Sequence, residues 1–455
     1  MRSGLPIDAA LGPLTAALAK HRNAVLVAPP GAGKSTVVPL VLLEEPWARG
    51  KRIVMLEPRR LAARAVAVRM ATTLHESPGQ TVGYRMRLET RVGPKTRLDV
   101  VTEGVFTRLL HDDPALTDVA AVLFDEYHER SLHADLGLAL ALDAQRHVAP
   151  ELRLVAMSAT LDGARVAALL GDAPVVESEG RMFPVDVRYL GAGLPALPGG
   201  TEPVDAAATR AVLRALREAE GDLLVFLPGA GEIRRTQARL AEAALGAGVD
   251  VLPLYGELPP GEQDAAIAPA RPGRRKIVLA TNIAETSLTI DGVRIVVDAG
   301  LERRNAFDPT SGMGRLETQR ISRASAEQRA GRAGRTSAGV CYRLWSEGAQ
   351  RSLAPFAPPE IATADLAPLA LDLAVWGTPA TDLRWLDPPP AATLASARDL
   401  LVRLGALDAA GRVTKHGLAV HGLGAHPRLA HMLLTAREHA AGAAAAELAA
   451  LLSER

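Results

Sequence analysis

The sequence predicts an α/β protein with two doubly wound parallel-sheet domains, followed by a winged-helix-like module and the start of a helical domain. From residue 24 onward, short apolar runs alternate with amphipathic helical runs, which is typical of parallel strands joined by crossover helices. Residues 191–203 are rich in Gly and Pro and interrupt this alternation. After about residue 351 the apolar runs become helical in spacing.

Residues 1–190 form the predicted first domain. Its predicted strands are 24–28, 52–56, 98–102, 120–124 and 152–157, and its clearest helices are 59–74 and 132–146. The run 120–124 is apolar throughout, as burial on both faces of a parallel sheet requires.

Residues 191–203 are the predicted hinge, and residues 204–350 form the predicted second domain. Its predicted strands are 222–227, 249–254, 276–280, 293–298 and 339–344. An arginine-rich hairpin is predicted from strands 301–308 and 315–321. Two interpretations of the hairpin remain: it separates or guides a nucleic-acid strand, or it is a solvated ribbon.

The winged-helix-like module is predicted for residues 351–426, from helices 363–376 and 393–404 and a strand-turn-strand at 405–413. Residues 427–455 are predicted to begin a further helical domain. We expect the chain to be truncated there, because its alanine-rich last helix has no capping residue.

The composition limits the function classes. The net charge of +1 excludes a global field that attracts polyanions, so contacts with nucleic acid must come from local clusters. A single cysteine, Cys341, excludes an intramolecular disulfide. The longest apolar runs are shorter than a membrane span, so we expect a cytoplasmic protein without a membrane partner. We also expect a monomer.

A glycine-rich turn after the first predicted strand predicts a phosphate-binding loop for ATP. Gly31 and Gly33 permit turns that a Cβ would obstruct, so that backbone N–H groups point at phosphate oxygens. Lys34 supplies a cation for the β- and γ-phosphates, and Ser35 a hydroxyl ligand for Mg²⁺. Ala28 stands where the motif usually has its first glycine. The predicted nucleotide-binding residues of this loop are Gly31, Ala32, Gly33, Lys34, Ser35 and Thr36.

Two adjacent carboxylates follow the strand 120–124. Asp125 is predicted to hold Mg²⁺ through its waters, and Glu126 to accept a proton from the water that attacks the γ-phosphate. Ser35, Asp125 and Glu126 are therefore the predicted metal-site residues. A zinc helix is excluded, because His128 and His133 are five residues apart rather than four.

Small polar side chains follow two other predicted strands. Ser158 and Thr160 come after the strand 152–157 and are predicted to relay nucleotide state to domain closure. Thr281 and Asn282 begin a run of hydroxyls and amides that suits phosphate and ribose contacts. Aromatic residues make up only 3% of the chain, so we expect the nucleic-acid backbone, rather than stacked bases, to be bound.

The second domain contains a run of arginines spaced three apart. Arg332 and Arg335 share a helical face and are predicted to act as arginine fingers toward a triphosphate on the first domain. Gln328 is predicted to orient the attacking water. The alternative is a solvated basic helix.

With these motifs in this order, the chain resembles the DEAH/RHA group of superfamily 2 helicases. The carboxylate motif is Asp125-Glu126-Tyr127-His128, with Tyr127 where Ala is commonest, and the resemblance extends to residues 57–64 and 102–104. It implies two RecA-like domains, a winged helix, a helical ratchet domain and 3′-to-5′ movement on RNA. It also implies that His128 couples the ATP site to the second domain and that Ile267 lies near the base. The nucleic-acid contacts that it implies are Arg59, Arg60, Thr102, Glu103 and Gly104.

The predicted function is an ATP-dependent RNA helicase or translocase that uses Mg²⁺ on single-stranded nucleic acid. One alternative is an ATPase that remodels complexes of RNA or DNA without unwinding a duplex. Another is a binding module whose ATP site is vestigial.

Overall fold

The computed structural model describes residues 3–453 except 160–162, 181–182, 198–201, 244, 247, 287–289 and 309–312. Two parallel sheets, each covered by helices, are followed by a helical module. We call the unit around the first sheet the first lobe, the unit around the second sheet the second lobe, and residues 351–453 the C-terminal module. The predicted α/β fold class with two parallel-sheet domains is confirmed.

The first lobe contains an eight-stranded sheet in the order β4-β3-β5-β2-β6-β7-β1-β8, in which only β4 runs antiparallel to its neighbour. Its elements are α1 (Asp8–Lys20), β1 (Asn23–Val27), α2 (Lys34–Leu43), β2 (Arg52–Glu57), α3 (Arg60–Thr73), β3 (Val82–Met86), β4 (Glu89–Arg91), β5 (Leu98–Thr102), α4 (Glu103–Asp112), β6 (Val119–Phe124), α5 (Leu132–His147), β7 (Arg153–Ser158), α6 (Gly163–Leu169) and β8 (Val175–Glu177). The five predicted strands of this lobe are present to within one residue.

The second lobe contains a six-stranded parallel sheet in the order β11-β12-β10-β13-β16-β9. Its elements are β9 (Val185–Tyr189), α7 (Val204–Glu218), β10 (Asp222–Phe226), α8 (Ala230–Glu242), β11 (Val249–Leu254), α9 (Pro260–Ile267), β12 (Arg275–Ala280), β13 (Val293–Asp298), β14 (Leu301–Asp308), β15 (Met313–Arg320), α10 (Arg323–Gly331), β16 (Gly339–Arg343) and α11 (Glu347–Gln350). The predicted hairpin is the antiparallel pair β14–β15.

One strand crosses the predicted boundary between the domains. β9 lies within the predicted first domain, residues 1–190, yet it pairs in parallel with β16 at the edge of the second sheet. The reason is that β16 needs an outer hydrogen-bonding partner, and β9 supplies it over five residue pairs. The division between the sheets therefore falls before residue 185, earlier than the predicted hinge at 191–203.

The C-terminal module is helical. It consists of α12 (Ala367–Trp376), α13 (Ala391–Arg403), α14 (Lys415–Gly422), α15 (Pro427–Glu438) and α16 (Gly442–Ser453). The strand-turn-strand predicted at 405–413 is only a single antiparallel bridge between Leu407 and Val413. The pairing stops there because the next residue, Thr414, already caps α14 by accepting the Gly417 N–H.

The C-terminal module shares its core with the first lobe. Phe106 and Leu110 of α4 belong to the same buried apolar cluster as Leu369 and Leu373 of α12 and Val420 of α14. Burial of such side chains contributes about 1.5–3 kcal/mol each, so the module is held firmly on α4. Among the described residues, none of the helices is long and apolar enough to span a bilayer.

Candidate active site

The loop after β1 has the geometry of an anion site. Gly31 and Gly33 have φ values of +83° and +101°, which side chains with a Cβ rarely adopt. At Gly33 a Cβ would also lie 2.8 Å from Cδ1 of Leu5. The ten-residue helix α2 begins at Lys34, so its N-terminal N–H groups and its dipole are directed at this loop. Ser35 and Thr36 lie in its first turn.

Lys34 meets both predicted carboxylates. Its buried Nζ lies 2.7 Å from Oε1 of Glu126 and 3.8 Å from Oδ1 of Asp125. Asp125 and Glu126 directly follow β6, and Glu126 has a left-handed φ of +50°. This uncommon conformation for a non-glycine residue is supported by the Glu126 N–H, which donates to Oδ1 of Asp125.

The charges around Glu126 keep it ionised. Burial alone would raise its pKa, but the cations of Lys34 and Arg332, together with His128, lower it to about 2. Asp125 behaves differently, because burial outweighs the attraction of Lys34 and its pKa is raised. Glu126 is therefore the fixed negative charge of the site.

Sequence reasoning did not assign a role to a third carboxyl group, that of Glu57. It follows Leu56 at the carboxyl end of β2, beside β6, and is fully buried. Burial, with Asp125 and Glu126 nearby, raises its pKa well above the ordinary value. The sequence did contain a sign of this role, because Glu57 ends an apolar strand at the same edge of the sheet as the other site residues.

The oxygen atoms fit a hard divalent cation. Oδ2 of Asp125 and Oε2 of Glu126 are buried and accept no hydrogen bond from the residues that the structure describes. The hydroxyl of Ser35 is close enough to Asp125 to lower its pKa by hydrogen bonding. Carboxylate and hydroxyl oxygens are the ligands that Mg²⁺ prefers, so Ser35, Asp125 and Glu126 suit the predicted metal.

The second lobe brings its predicted residues to the same place. Nε2 of His128 lies 2.8 Å from the side-chain amide of Gln328 in α10. Cδ and Nε of Arg335 lie 4.0 Å from the point where a Cβ on Gly31 would stand. Arg332 is near enough to Glu126 to lower its pKa. Arg335 of the second lobe thus lies beside the phosphate-binding loop, while Arg332 lies near Glu126 and Gln328 contacts His128.

Arg332 is buried and Arg335 is half-buried, and the two guanidinium groups lie close together. Burial lowers the pKa of Arg335 to about 10, with Glu126 opposing the shift. Burial and the neighbouring Arg335 lower the pKa of Arg332 well below its ordinary value. Adding an anion between them would relieve this repulsion.

Arg329 belongs to the same sequence run but has another task. It is fully buried, and it donates to Oε2 of Glu285 at 2.9 Å and to Oδ1 of Asp298 at 3.0 Å. Its guanidinium also stacks on the ring of Phe226. Arg329 therefore holds α10 on the second sheet and does not face the loop.

The predicted relay is only partly described. Ser158 pairs in register with Val27, and its carbonyl accepts the Ala28 N–H at 2.9 Å, so it lies beside the phosphate-binding loop. The next N–H, of Ala159, lies 3.3 Å from Nδ1 of His128. Thr160 lies outside the described residues.

Four of the predicted nucleic-acid residues line one cleft between the lobes. The cleft has a volume of about 1140 Å³ and is bordered by the lining residues Arg59, Arg60, Thr281 and Asn282. Leu316 of β15 also lines it, so the hairpin stands at its edge. Arg59 joins the lobes, because it donates to the Asn282 carbonyl and to Glu129.

The remaining three predicted contacts lie elsewhere. Thr102, Glu103 and Gly104 form the junction of β5 and α4 and are not among the described residues that line the cleft. Glu103 accepts a 2.5 Å hydrogen bond from Oγ of Ser131, and burial raises its pKa to about 8.

Comparisons with known proteins agree with this architecture. Residues 13–169 match the DEAD/DEAH box helicase family, and residues 207–337 match the helicase conserved C-terminal domain. The chain is 50% identical over 453 residues to the ATP-dependent RNA helicase HrpB of Escherichia coli (strain K12), covering 99% of this chain and 55% of that protein.

Two solved structures of the Escherichia coli protein are also similar. A crystal structure described as the DEAH/RHA helicase HrpB superposes with a TM-score of 0.91 at 50% identity, over 99% of this chain and 56% of that one. A second, described as the DExH-box NTPase HrpB, gives a TM-score of 0.86 at 49% identity, over 100% of this chain and 55% of that one. The chain thus spans about half the length of these relatives.

Proposed function

Residues 13–169 belong to the DEAD/DEAH box helicases and residues 207–337 to the helicase C-terminal domain family, and from this premise we propose that the chain is an Mg²⁺-dependent ATPase stimulated by single-stranded RNA. One observation carries the proposal: residues around the phosphate-binding loop and Glu126 meet residues of the second lobe. Arg335 lies beside Gly31 and near Glu126, Arg332 lies near Glu126, and Gln328 contacts His128. A triphosphate that lies between them touches both lobes. Its hydrolysis therefore changes how the lobes are held together.

Each residue has a defined task in this proposal. The backbone of residues 31–36 and the Lys34 ammonium bind the β- and γ-phosphates. Ser35 and Asp125 hold Mg²⁺, which neutralises charge that develops on the phosphates. Glu126, ionised at neutral pH, accepts the proton of the attacking water. Arg332 and Arg335 stabilise the charge of the transition state, while Gln328 orients the water.

The cleft between the lobes is the proposed path of the RNA. Arg59, Arg60, Thr281 and Asn282 present two guanidinium groups, a hydroxyl and an amide at its wall, and such groups bind phosphate and sugar without reading bases. Leu316 places the β14–β15 hairpin beside the path, which favours a strand-guiding role for it. We also propose the 3′-to-5′ movement and the coupling through His128 that the family resemblance implies, and, separately, that the protein acts as a cytoplasmic monomer.

Steady-state phosphate release with and without single-stranded RNA tests the proposal. RNA is expected to raise turnover, and Lys34→Ala to abolish it in both conditions. Single-stranded DNA and RNA or DNA duplexes form the other arms of the experiment. Equal stimulation by DNA would refute the RNA preference, and hydrolysis without strand displacement would favour a remodelling ATPase. Absence of phosphate release at saturating RNA would refute the ATPase itself.

A further inference from the structure

Three side chains from distant parts of the sequence meet where the C-terminal module packs on the first lobe. They are His111 in the last turn of α4, Asp372 in α12 and His421 in α14. Nε2 of His111 lies 3.3 Å from Oδ1 of Asp372, and Nε2 of His421 lies 2.9 Å from the same oxygen. Their ligand atoms all lie within 4.8 Å of one another.

These separations suit a small tetrahedral cation. With zinc–ligand bonds of about 2.0–2.2 Å, neighbouring ligand atoms on a tetrahedral ion are about 3.3–3.6 Å apart. The contact between His111 and Asp372 already has this length, and the contact between His421 and Asp372 needs to open by only a few tenths of an ångström. Two imidazoles and a carboxylate are also a common set of protein ligands for zinc, with water in the fourth position.

The state of His111 is an independent sign of a ligand. Its side chain is only 7% exposed, and Nε2 is buried without a hydrogen bond to any part of the chain that the structure describes. Oδ1 of Asp372, 3.3 Å away, is already engaged in the 2.9 Å hydrogen bond with His421. Leaving a buried polar atom unsatisfied costs about 1–3 kcal/mol, and a metal ion at the shared centre would remove that cost.

The surroundings hold the imidazole in place. The ring of His111 packs edge-on against Trp376, with centroids 5.8 Å apart, and against His421 at 4.7 Å. Trp376 is one helical turn beyond Asp372 on α12, so both residues face α4. These packed rings partly shield the three ligands from bulk water, which would otherwise compete for the metal ion.

We propose that Nε2 of His111, Oδ1 of Asp372 and Nε2 of His421 bind one divalent transition-metal ion, zinc being the best match. The ion links α12 and α14 of the C-terminal module to α4 of the first lobe. Because α4 starts at Glu103, within the predicted nucleic-acid contact 102–104, the ion also restrains the helix that follows that contact. This site is separate from the Mg²⁺ site, and its test does not depend on ATP hydrolysis.

The chain contains a matched control. His426 lies 2.8 Å from Oδ2 of Asp365 in the same module, a histidine–carboxylate pair without a second histidine. His416 and His431 also contact each other, at 2.9 Å, but without a carboxylate. Among the described residues, neither the His426–Asp365 pair nor the His416–His431 pair belongs to a group of three possible metal ligands.

The experiment uses the full chain without a histidine tag, stripped with a chelator and then titrated with zinc. Elemental analysis after gel filtration is expected to find about one zinc per chain, and calorimetry a single site. His111→Asn and His421→Asn are each expected to weaken binding by at least about 10-fold, whereas His426→Asn leaves it unchanged. Zinc should raise the melting temperature of the parent chain and of His426→Asn, but not of His421→Asn.

Circular dichroism separates loss of ligands from loss of fold. His421 is 23% exposed, so His421→Gln is a second variant in case an asparagine at this helix position unfolds the module. Cobalt(II) provides another readout, because cobalt(II) bound by four ligands in a tetrahedral site absorbs visible light strongly. Absence of stoichiometric zinc in the parent chain, or equal zinc affinity in a folded His421 variant, would overturn the proposal.

Discussion

Replacing Glu126 by Gln tests the catalytic site most directly. The change keeps the shape of the side chain but removes a negative charge that lies 2.7 Å from Nζ of Lys34 and 3.5 Å from Nδ1 of His128. Because the pKa of Glu126 is lowered to about 2, the native residue is ionised at every pH above about 4. The substitution therefore adds one positive unit to the net charge of the site throughout the usual assay range.

The substitution is expected to lower turnover and to raise the affinity for the nucleotide. Loss of a general base costs about 10²–10⁴-fold in turnover, equivalent to about 3–5 kcal/mol in the barrier. The affinity for a triphosphate should not fall, because Lys34 no longer pairs with a competing carboxylate. A unit charge 4–5 Å away interacts with about 3–4 kcal/mol at an effective dielectric constant of 20, so tighter nucleotide binding is expected.

The assay measures phosphate release and, separately, binding of a fluorescent ATP analogue, both with Mg²⁺ and saturating single-stranded RNA. Glu151→Gln is the control, since that exposed carboxylate pairs only with Arg22 at the surface among the residues described. Its turnover should stay within about 2-fold of the parent. Full turnover of Glu126→Gln would show that another group takes the proton. A large loss of affinity with unchanged turnover would assign Glu126 to binding instead.

Three further predictions concern single side chains. Arg335→Ala should lower turnover by about 10³-fold or more while changing analogue binding far less; equal turnover would remove the arginine finger. Arg329→Ala should instead destabilise the second lobe by about 3–5 kcal/mol in denaturant unfolding, since it leaves Glu285 and Asp298 buried without their cation; a loss below about 1 kcal/mol contradicts this. Glu103 has a folded pKa of about 8 against an ordinary value of 4.5, so its native state binds the proton more tightly and loses stability as pH rises through that window. Glu103→Gln should therefore raise the free energy of unfolding, relative to the parent chain, by a few kcal/mol more at pH 9 than at pH 5. Denaturant unfolding at the two pH values measures this difference, and an equal effect of the substitution at both would contradict the prediction.

Local sequence determined the elements that were predicted well. The strand at 119–124 is apolar throughout, and the loop after β1 needs glycines at particular φ values, so each can be recognised from a few neighbouring residues. β3 and β9 were missed because Val82–Met86 and Val185–Tyr189 mix charged or small residues with apolar ones. Their status as strands comes from pairing with other segments, β5 for β3 and the distant β16 for β9.

The same limit applies to the site. Arg329 and Arg332 are three residues apart and equivalent in any helical pattern. Only the arrival of Glu285 and Asp298 from other elements makes Arg329 structural. The cluster of His111, Asp372 and His421 was likewise invisible, because it depends on how three helices pack. Motif spacing identifies residues that work within one segment; it does not identify residues whose partners are brought by the tertiary fold.

The hydrogen bonds of His128 connect the nucleotide site to the second lobe. Nδ1 lies 3.3 Å from the Ala159 N–H and accepts it, which in a neutral imidazole favours the hydrogen on Nε2. Nε2 lies 2.8 Å from the amide nitrogen of Gln328. With the hydrogen on Nε2 the amide must turn its oxygen toward the ring, whereas with the hydrogen on Nδ1 the Gln328 NH₂ group donates to Nε2. In either arrangement the Gln328 amide is held by a residue of the first lobe. Any separation of the lobes breaks this bond first at Nε2, while Nδ1 stays with the strand that borders the phosphate-binding loop. One imidazole thus makes the position of the Gln328 amide dependent on closure of the lobes.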